Sequence, residues 1–400
     1  MRARDLRMRD QDIVLFAPEP WEAIWRNRHQ IFTRLARHNR IVWVEPRGAT
    51  WPHVWRRWRA GEWREPAFWK VGVSQPMANV WVVHTPQFAP VTRGGVGKVT
   101  RAIREAPIRA LLRRLGVRHP LLWLFHPALW DEVGRWGERL AIYHLVDEYT
   151  AYTTNPSVRQ SLEADERQLL GKVDMVFVTS QKLLESKRAL HSRVFLVPNG
   201  VDYETFAAAR PDAELARLPR PILGYVGALK AKIDFVLLRK VAEANPDATV
   251  LLVGPLDAGV DAAEWRALLA RPNVHFADVR PVADVPGVVA ACDIGLLPYR
   301  RMPWTEHIDS LKLNEYLAAG LPVVAIDLPM VAEARDLLHI AQDQDEFVRR
   351  IRDARVSLTV SDGEAQRAAR RRYAAARDWD SRVSEIGTHV LSELARAGAA

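Results

Sequence analysis

Residues 311 to 325, LKLNEYLAAGLPVVA, set a lysine and a glutamate, Lys312 and Glu315, at the start of an amphipathic helix. Gly320 marks the stop of that helix, and Pro322 opens a buried strand. In an open α/β sheet such a helix start faces a crevice, where unpaired N–H groups and the positive end of the helix dipole suit an anion such as phosphate. Lys312 can neutralise that anion, and Glu315 can accept hydrogen bonds from hydroxyls. Phosphate beside polyol is the chemistry of a nucleotide-sugar. The same spacing also fits an ordinary helix–glycine–strand junction with solvated charges, and spacing alone leaves both readings open.

Further residues of this kind stand where strands end. The run GYVGAL finishes in Gly227-Ala228-Leu229, after which Lys230 and Lys232 open the next helix. Glycine permits close backbone approach there, and a lysine at a helix start can reach a diphosphate. In the first half, His126 follows the strand LLWLF and Asp147 follows AIYHLV. Both lie at carboxyl ends of strands, the edge where an open α/β sheet binds its ligand. The plainer readings are a histidine capping the next helix before Pro127 and a solvated Asp147-Glu148 turn. His144 lies within its strand, where packing accounts for it.

The elements that must position these residues alternate along the chain. Near-continuous apolar runs predict strands at 12–17, 40–44, 80–84, 121–125, 140–146, 173–179 and 193–197, with helices at 26–38, 99–115, 158–170 and 181–189. Such runs suit a parallel sheet covered on both faces. After Pro198-Asn199-Gly200 the composition turns to Ala, Arg and Pro, and the pattern then restarts with PILGYVGAL, a helix at 233–244, ATVLLVGP, NVHFA, CDIGLLPY, PVVAI and LHIA. The last thirty-five residues are strongly helical. The expected architecture is α/β, with two Rossmann-like doubly wound sheets facing one another. The expected domains are 1–200, 201–365 and a C-terminal helical stretch, 366–400.

Composition narrows the function classes. Four hundred residues suit two or three domains. No run of 18 apolar residues predicts a membrane span, and the basic start MRARDLRMRDQD leads into a short strand rather than a signal peptide. The single Cys292, inside AACDIGLLP, fits a reducing cytoplasm and reads as a buried thiol. No metal-ligand pattern stands in convincing context. Gly94-Gly95-Val96-Gly97-Lys98-Val99 imitates a P-loop but has Thr92 where a glycine is needed and Val99 after the lysine; it reads as a flexible basic loop entering a helix.

The net charge of +9 raises anionic partners, and twelve of the fifteen tryptophans lie before residue 137. In 51–70, Trp51, Trp55 and Trp58 share one helical face, surrounded by Arg56, Arg57 and Arg59. Tryptophan prefers the membrane interface and arginine the anionic headgroups. The segment therefore predicts docking on an anionic inner leaflet, against the alternative of a tryptophan-filled insertion packed on its own domain. Nucleic acid is not expected, since no nucleic-acid module accompanies the segment.

The ordered blocks PNGVDYETF, GYVGAL followed by lysine, LLVGP, NVHF, DIGLLPY and LKLNEYLAAGLPVVA resemble the retaining GT-B glycosyltransferases, which act on nucleotide-activated sugars. WEAIWRNRHQIFTRLARHNRIVWVEPRG and AIYHLVDEYTAY resemble a branch of that family from bacterial cell-envelope polysaccharide synthesis. The resemblance spans roughly residues 12 to 385. It implies that Lys232 and Lys312 contact the donor diphosphate, that Gly227, Asp309 and Leu311 line it, and that Glu315 holds ribose or sugar hydroxyls. It also implies that His126 faces the donor sugar, that Asp147 faces acceptor or sugar, and that the C-terminal helix returns to the N-domain.

The implied reaction moves a hexose from a UDP- or GDP-sugar to a glycan or lipid-linked acceptor, with retention, without metal and with no cofactor beyond the nucleotide-sugar. Catalysis would rest on His126, Asp147 and Glu315, with positive charge meeting the negative charge that develops on the leaving phosphate. The chain departs from the family where a second glutamate, eight residues before Glu315, is replaced by His307 next to Glu306. The glycine-rich turn after the first strand is replaced by Pro18-Glu19-Pro20-Trp21. The alternatives are a GT-B-fold sugar-nucleotide epimerase and a non-catalytic, membrane-associated sugar-binding scaffold.

Overall fold

The computed structural model describes residues 8–46, 50–64, 69–91, 94–358 and 363–399. The chain divides into two compact units. One comprises Met1–Val178, Leu183–Val197 and Val383–Ala400, and the other Thr179–Lys182 and Pro198–Arg382.

The first unit is built on eight strands: β1 Asp12–Phe16, β2 Arg40–Val44, β3 Gly72–Met77, β4 Val80–His84, β5 Leu121–Leu124, β6 Leu140–Leu145, β7 Met175–Val178 and β8 Val194–Leu196. Their order is β3-β4-β2-β1-β5-β6-β7-β8. Every pairing is parallel except β3 with β4. Strands β5, β6 and β7 are buried at every position, as their unbroken apolar runs require. Sequence reading missed β3: GVSQPM holds Gly and Pro and is exposed almost throughout, so it carries no core signal. The available signal was Asn79, whose φ of 62° serves the tight turn from β3 into β4.

The second unit carries β9 Ile222–Val226, β10 Thr249–Val253, β11 Val274–Ala277, β12 Ile294–Leu297, β13 Val323–Ile326 and β14 His339–Ala341. They run in the order β11-β10-β9-β12-β13-β14, all parallel. The doubly wound α/β expectation is borne out for each sheet. Strand order reverses at β1 between β2 and β5 in the first sheet, and at β9 between β10 and β12 in the second. These switch points open crevices at the carboxyl ends of the strands, where open sheets bind ligands.

Several local expectations are corrected. The glycine-rich stretch read as a loop is helical, because the helix runs Gly94–Leu115. Thr92 lies outside the described residues. Lys230 and Lys232 do not open a helix; the next helix is Phe235–Ala244, N-capped by Asp234, whose carboxylate accepts from Leu237 N at 2.9 Å. The strong cap at Asp234 sets that start. The C-terminal helical stretch is two helices, Gly363–Ala375 and Trp379–Ala399. In the second of these, His389 packs on Phe195 of the first unit with centroids 4.2 Å apart.

One packing arrangement fixes the helix Leu311–Ala319. Gly224 of β9 and Gly295 of β12 lie side by side in register. A Cβ on Gly295 would come within 2.5 Å of the Tyr316 ring, and one on Gly224 would collide with the Cys292 sulfur. Tyr316 lies in the space so left, fully buried, and its hydroxyl oxygen accepts from Val226 N at 2.9 Å. The helix ends as read from sequence: Gly320 is left-handed at φ 83°, and Leu321 N donates to Tyr316 O at 2.9 Å. Cys292 is buried, and burial pushes its thiol up to about 12, in keeping with a structural role.

Tyr316→Phe leaves the buried Val226 N–H without an acceptor and should cost about 1–3 kcal/mol. Urea unfolding read by circular dichroism checks this; an unchanged midpoint would remove Tyr316 from its anchoring role.

Candidate active site

In the second unit the switch-point crevice is formed by the loops that leave β9 and β12. After β9, Gly227 adopts φ 133°, and its amide donates to Val253 O at 2.7 Å. A Cβ at Gly227 would lie 2.5 Å from Lys312 Nζ, so the lysine side chain lies directly on the glycine. Gly254, immediately after β10, has φ 131°, and a Cβ there would stand 2.6 Å from Gly227 O. Two glycines are thus required for backbone and lysine to converge. Lys312 Nζ stands 5.3 Å above the Tyr225 ring, and among the described residues it has no ion-pair partner.

After β12 the chain turns through 298–310 before entering the helix Leu311–Ala319. Arg300 N donates to Lys232 O at 2.8 Å, and Ile233 pairs with Tyr299, so this turn and the Lys232 loop are held together. Lys232 Nζ lies 5.1 Å from the Tyr299 ring centroid and 5.0 Å from that of Trp304. Burial works to raise the Tyr299 hydroxyl, yet Lys312 and Lys232, with hydrogen bonds to Ser310 and Tyr225, leave it below its ordinary value.

The helix start itself is open. Ser310 is the N-cap, but its hydroxyl bonds the Tyr299 hydroxyl at 3.1 Å and makes no cap bond. The first turn also lacks an acidic residue. Leu311 begins this turn and is half-buried. One turn in, burial raises the Glu315 carboxyl while Lys312 opposes the shift. Among the described residues no hydrogen bond engages that carboxylate. The structure therefore brings together Gly227, Lys232, Lys312 and Glu315, as the sequence expected.

Asp309 has a different setting. Its carboxylate accepts from Asn199 N at 2.6 Å, its carbonyl accepts from Asn199 Nδ2 at 2.9 Å, and Asn314 Nδ2 donates to Asn199 O at 3.1 Å. It ties the PNG segment to the helix start. Burial pushes its carboxyl up to about 7, against the lowering from the Asn199 amide. At the position of the replaced glutamate, His307 Nδ1 pairs with Pro303 O at 2.9 Å, and Glu306 N donates to Met302 O at 3.3 Å.

In the first unit the switch-point crevice gathers His126, just past Phe125 at the end of β5, and Asp147, just past β6. His126 Nδ1 accepts from Ala128 N at 3.2 Å, so it does cap the short helix Pro127–Glu132. Its ring also packs on Tyr149 at 4.6 Å, and the Tyr149 hydroxyl donates to Phe125 O at 2.7 Å. Asp147 is half-buried. Its neighbour Glu148 is held by Lys187 Nζ at 2.9 Å, and Lys187 reaches Glu166 at 2.8 Å as well. His144 is fully enclosed, stacks on Phe125 at 5.2 Å, and burial lowers it to about 3, so it packs as a neutral ring.

Sequence reasoning missed Arg28 and Glu19, which stand at this same edge. Arg28 is 4% exposed and lies 4.9 Å over Phe125, with Glu19 at 3.1 Å. A lone arginine in a basic helix gives no sequence signal. The only clue was the unusual Pro-Glu-Pro after β1. Among the described residues, no three His, Cys, Asp or Glu side chains gather as metal ligands.

Residues 220–355 match the family model described as Glycosyl transferases group 1. The chain is 30% identical over 236 residues to a protein of Bacillus subtilis (strain 168) whose name assigns it to teichuronic acid biosynthesis as the glycosyltransferase TuaH. That match covers 57% of this chain and 59% of the relative, so it spans little more than half of either. Sucrose-phosphate synthase from Thermosynechococcus elongatus superposes with TM-score 0.70 at 15% identity, covering 96% of this chain and 100% of that one. WaaG, a glycosyltransferase involved in lipopolysaccharide biosynthesis, gives TM-score 0.62 at 16% identity, over 94% and 98%. Anabaena HepE, in complex with UDP and glucose, gives 0.65 at 13%, over 96% and 100%. The resemblance to the group 1 glycosyltransferases read from the sequence is borne out over residues 220–355, and these structures show the GT-B fold.

Asp309 supplies a pH test. An acid whose value is higher in the folded than in the unfolded protein favours folding at low pH, and this stabilisation is lost as pH rises through the folded value. The Asp309 contribution to wild-type stability should therefore fall between about pH 4 and 7, and Asp309→Asn, which keeps an acceptor for Asn199 N, should remove that part of the slope. Chemical denaturation at several pH values checks it; parallel curves for the two proteins would refute the assignment.

Proposed function

We propose that this chain is a glycosyltransferase that moves a hexose from a UDP- or GDP-sugar to a glycan or lipid-linked acceptor in cell-envelope polysaccharide synthesis, with retention. The observation that carries this reading is the convergence of Lys232, Lys312, the Gly227 backbone and an uncapped helix start on one switch-point crevice. A nucleoside diphosphate leaving group gathers negative charge as the glycosidic bond breaks. Two ammonium groups and a helix N-terminus placed in advance stabilise that charge without reorganising, and they supply what a divalent cation would otherwise supply. Glu315, one turn along, accepts hydroxyl hydrogen bonds of ribose or sugar. Asp309 and Leu311 shape the loop that the diphosphate meets. His126 and Asp147 serve the transferred sugar and the acceptor hydroxyl, with attack on the same face that the leaving group departs. His307 in place of a glutamate supports one competing reading, a sugar-binding scaffold without turnover.

The acceptor side is proposed to meet an anionic membrane on its cytoplasmic face. Support comes from the helix Trp51–Arg59, where Trp51, Trp55 and Trp58 are 49%, 57% and 43% exposed, beside Arg56, Arg57 and Arg59. Residues 65–68 of that segment lie outside those described. No described helix is long and apolar enough to cross a membrane.

Thermal-shift titration with UDP, GDP, ADP, dTDP and CDP should give saturable stabilisation by one nucleotide, lost in the Lys312→Ala, Glu315→Ala double variant. No response to any nucleotide would defeat the transferase reading. Nucleotide binding without sugar transfer would favour the scaffold, and donor consumption without acceptor an epimerase or hydrolase. In a separate assay, sedimentation with phosphatidylglycerol vesicles should exceed that with phosphatidylcholine and drop several-fold on replacing Trp51, Trp55 and Trp58 by Ser. Equal sedimentation of variant and wild type would refute membrane docking through this helix.

A further inference from the structure

The first unit has a buried charge that its own residues do not satisfy. Arg28 offers five N–H donors. Among the described residues its side chain makes one long hydrogen bond, 3.5 Å to Asn27 Oδ1, and its Nε has no hydrogen-bond partner. The ion pair with Glu19, at 3.1 Å, lies outside hydrogen-bond alignment. Buried polar groups are nearly always hydrogen-bonded, so a guanidinium this shielded and this poorly engaged calls for a further partner.

Its position says what kind of partner. Arg28 is the second residue of the helix Asn27–Leu35, whose first turn contains no acidic residue. It stands at the β1/β5 switch point, against the ring of Phe125, the residue that precedes His126. Burial lowers the Arg28 pKa, and Glu19, Tyr149 and Asp147 sustain its charge. Glu19 is shared, because Arg26 also approaches it at 3.7 Å. Arg26 is 45% exposed and Asp147 half-buried, so water screens both, and the buried Arg28 is left facing Glu19 without hydrogen-bond alignment. The unengaged donors of Arg28 suit an incoming anion, since the planar fork of arginine binds carboxylate or phosphate in bidentate fashion.

We propose that the switch-point crevice of the first unit binds an acidic sugar, a hexuronate or a sugar phosphate, and that Arg28 meets its charge. Calling that sugar the acceptor rests on the transferase reading; the binding itself does not. Hydroxyls of the ring then fall to Glu19 and Asp147, both acceptors when ionised. A neutral hexose lacks the group that the buried guanidinium requires, so the crevice discriminates for charge.

The test is thermal-shift and calorimetric titration of the full chain with glucuronate, glucose 6-phosphate and glucose at matched ionic strength, with UDP as a separate arm. Wild type should respond saturably to glucuronate, to glucose 6-phosphate or to both, and not to glucose. A response to one alone names carboxylate or phosphate as the anion. Arg28→Gln should weaken that response at least tenfold while leaving the UDP response unchanged, and Arg28→Lys should fall between, keeping the charge without the fork. If Arg28→Gln proves unfolded, the wild-type selectivity and the lysine variant decide. No response of wild type to either anion overturns the proposal. So does an Arg28→Gln protein that melts lower yet binds the anion as well as wild type, since that is the mark of a structural ion pair. Loss of the UDP response alone, with the acidic-sugar response intact, would count against the donor reading and leave this one standing.

Discussion

The side-by-side glycines of β9 and β12 are the constraint on which the donor crevice depends. Gly224 and Gly295 lie in register on the two central strands of the second sheet; Gly224 leaves room for the Cys292 sulfur, and Gly295 for the Tyr316 ring between sheet and helix. Its hydroxyl ties the helix to the end of β9, one residue before Gly227. The same helix carries Lys312 and Glu315. A lysine can rest on a glycine at the end of another strand only if the helix is locked at one height and rotation. The buried tyrosine provides that lock, and close packing makes it stiff.

Electrostatics depends in turn on this geometry. Lys312 comes from a helix and Lys232 from a loop, yet both face aromatic rings, Tyr225 for one and Tyr299 and Trp304 for the other. The Tyr225 ring holds the Lys312 ammonium in place without neutralising it. The nearby lysines hold the Tyr299 hydroxyl below its ordinary value in spite of its burial. Ser310 contributes by turning its hydroxyl toward Tyr299, which leaves the helix start open.

The first unit repeats the plan with other residues. Its switch point lies at β1 and β5, and a helix start, a buried arginine, a histidine and a half-exposed carboxylate meet there in place of the two lysines. Lys187, bound to Glu148 and Glu166, steadies the turn that carries Asp147 and Tyr149. Each unit thus sets charge at the one sheet edge where the backbone leaves space for it.

Much of this was legible in the sequence. Thirteen of the fourteen described strands could be read from apolar runs, because a strand covered on both faces has no choice but to be apolar throughout. Lys312, Glu315 and Gly320 could be placed from spacing, since helix periodicity and a left-handed stop are local properties. What failed was also local in cause: β3 lacks a core face, and Gly94–Val99 is helical despite its glycines. The cap at Asp234 moved a helix start past Lys232. Only the tertiary structure decided that Lys312 lies on Gly227, that Asp309 binds Asn199, that His126 both caps a helix and packs on Tyr149, and that Arg28 is buried with its donors unsatisfied. Those facts depend on which strands become neighbours and on how much water each side chain loses. Sequence sets which residues can carry charge; the folded sheet order determines which of those charges are left for a ligand.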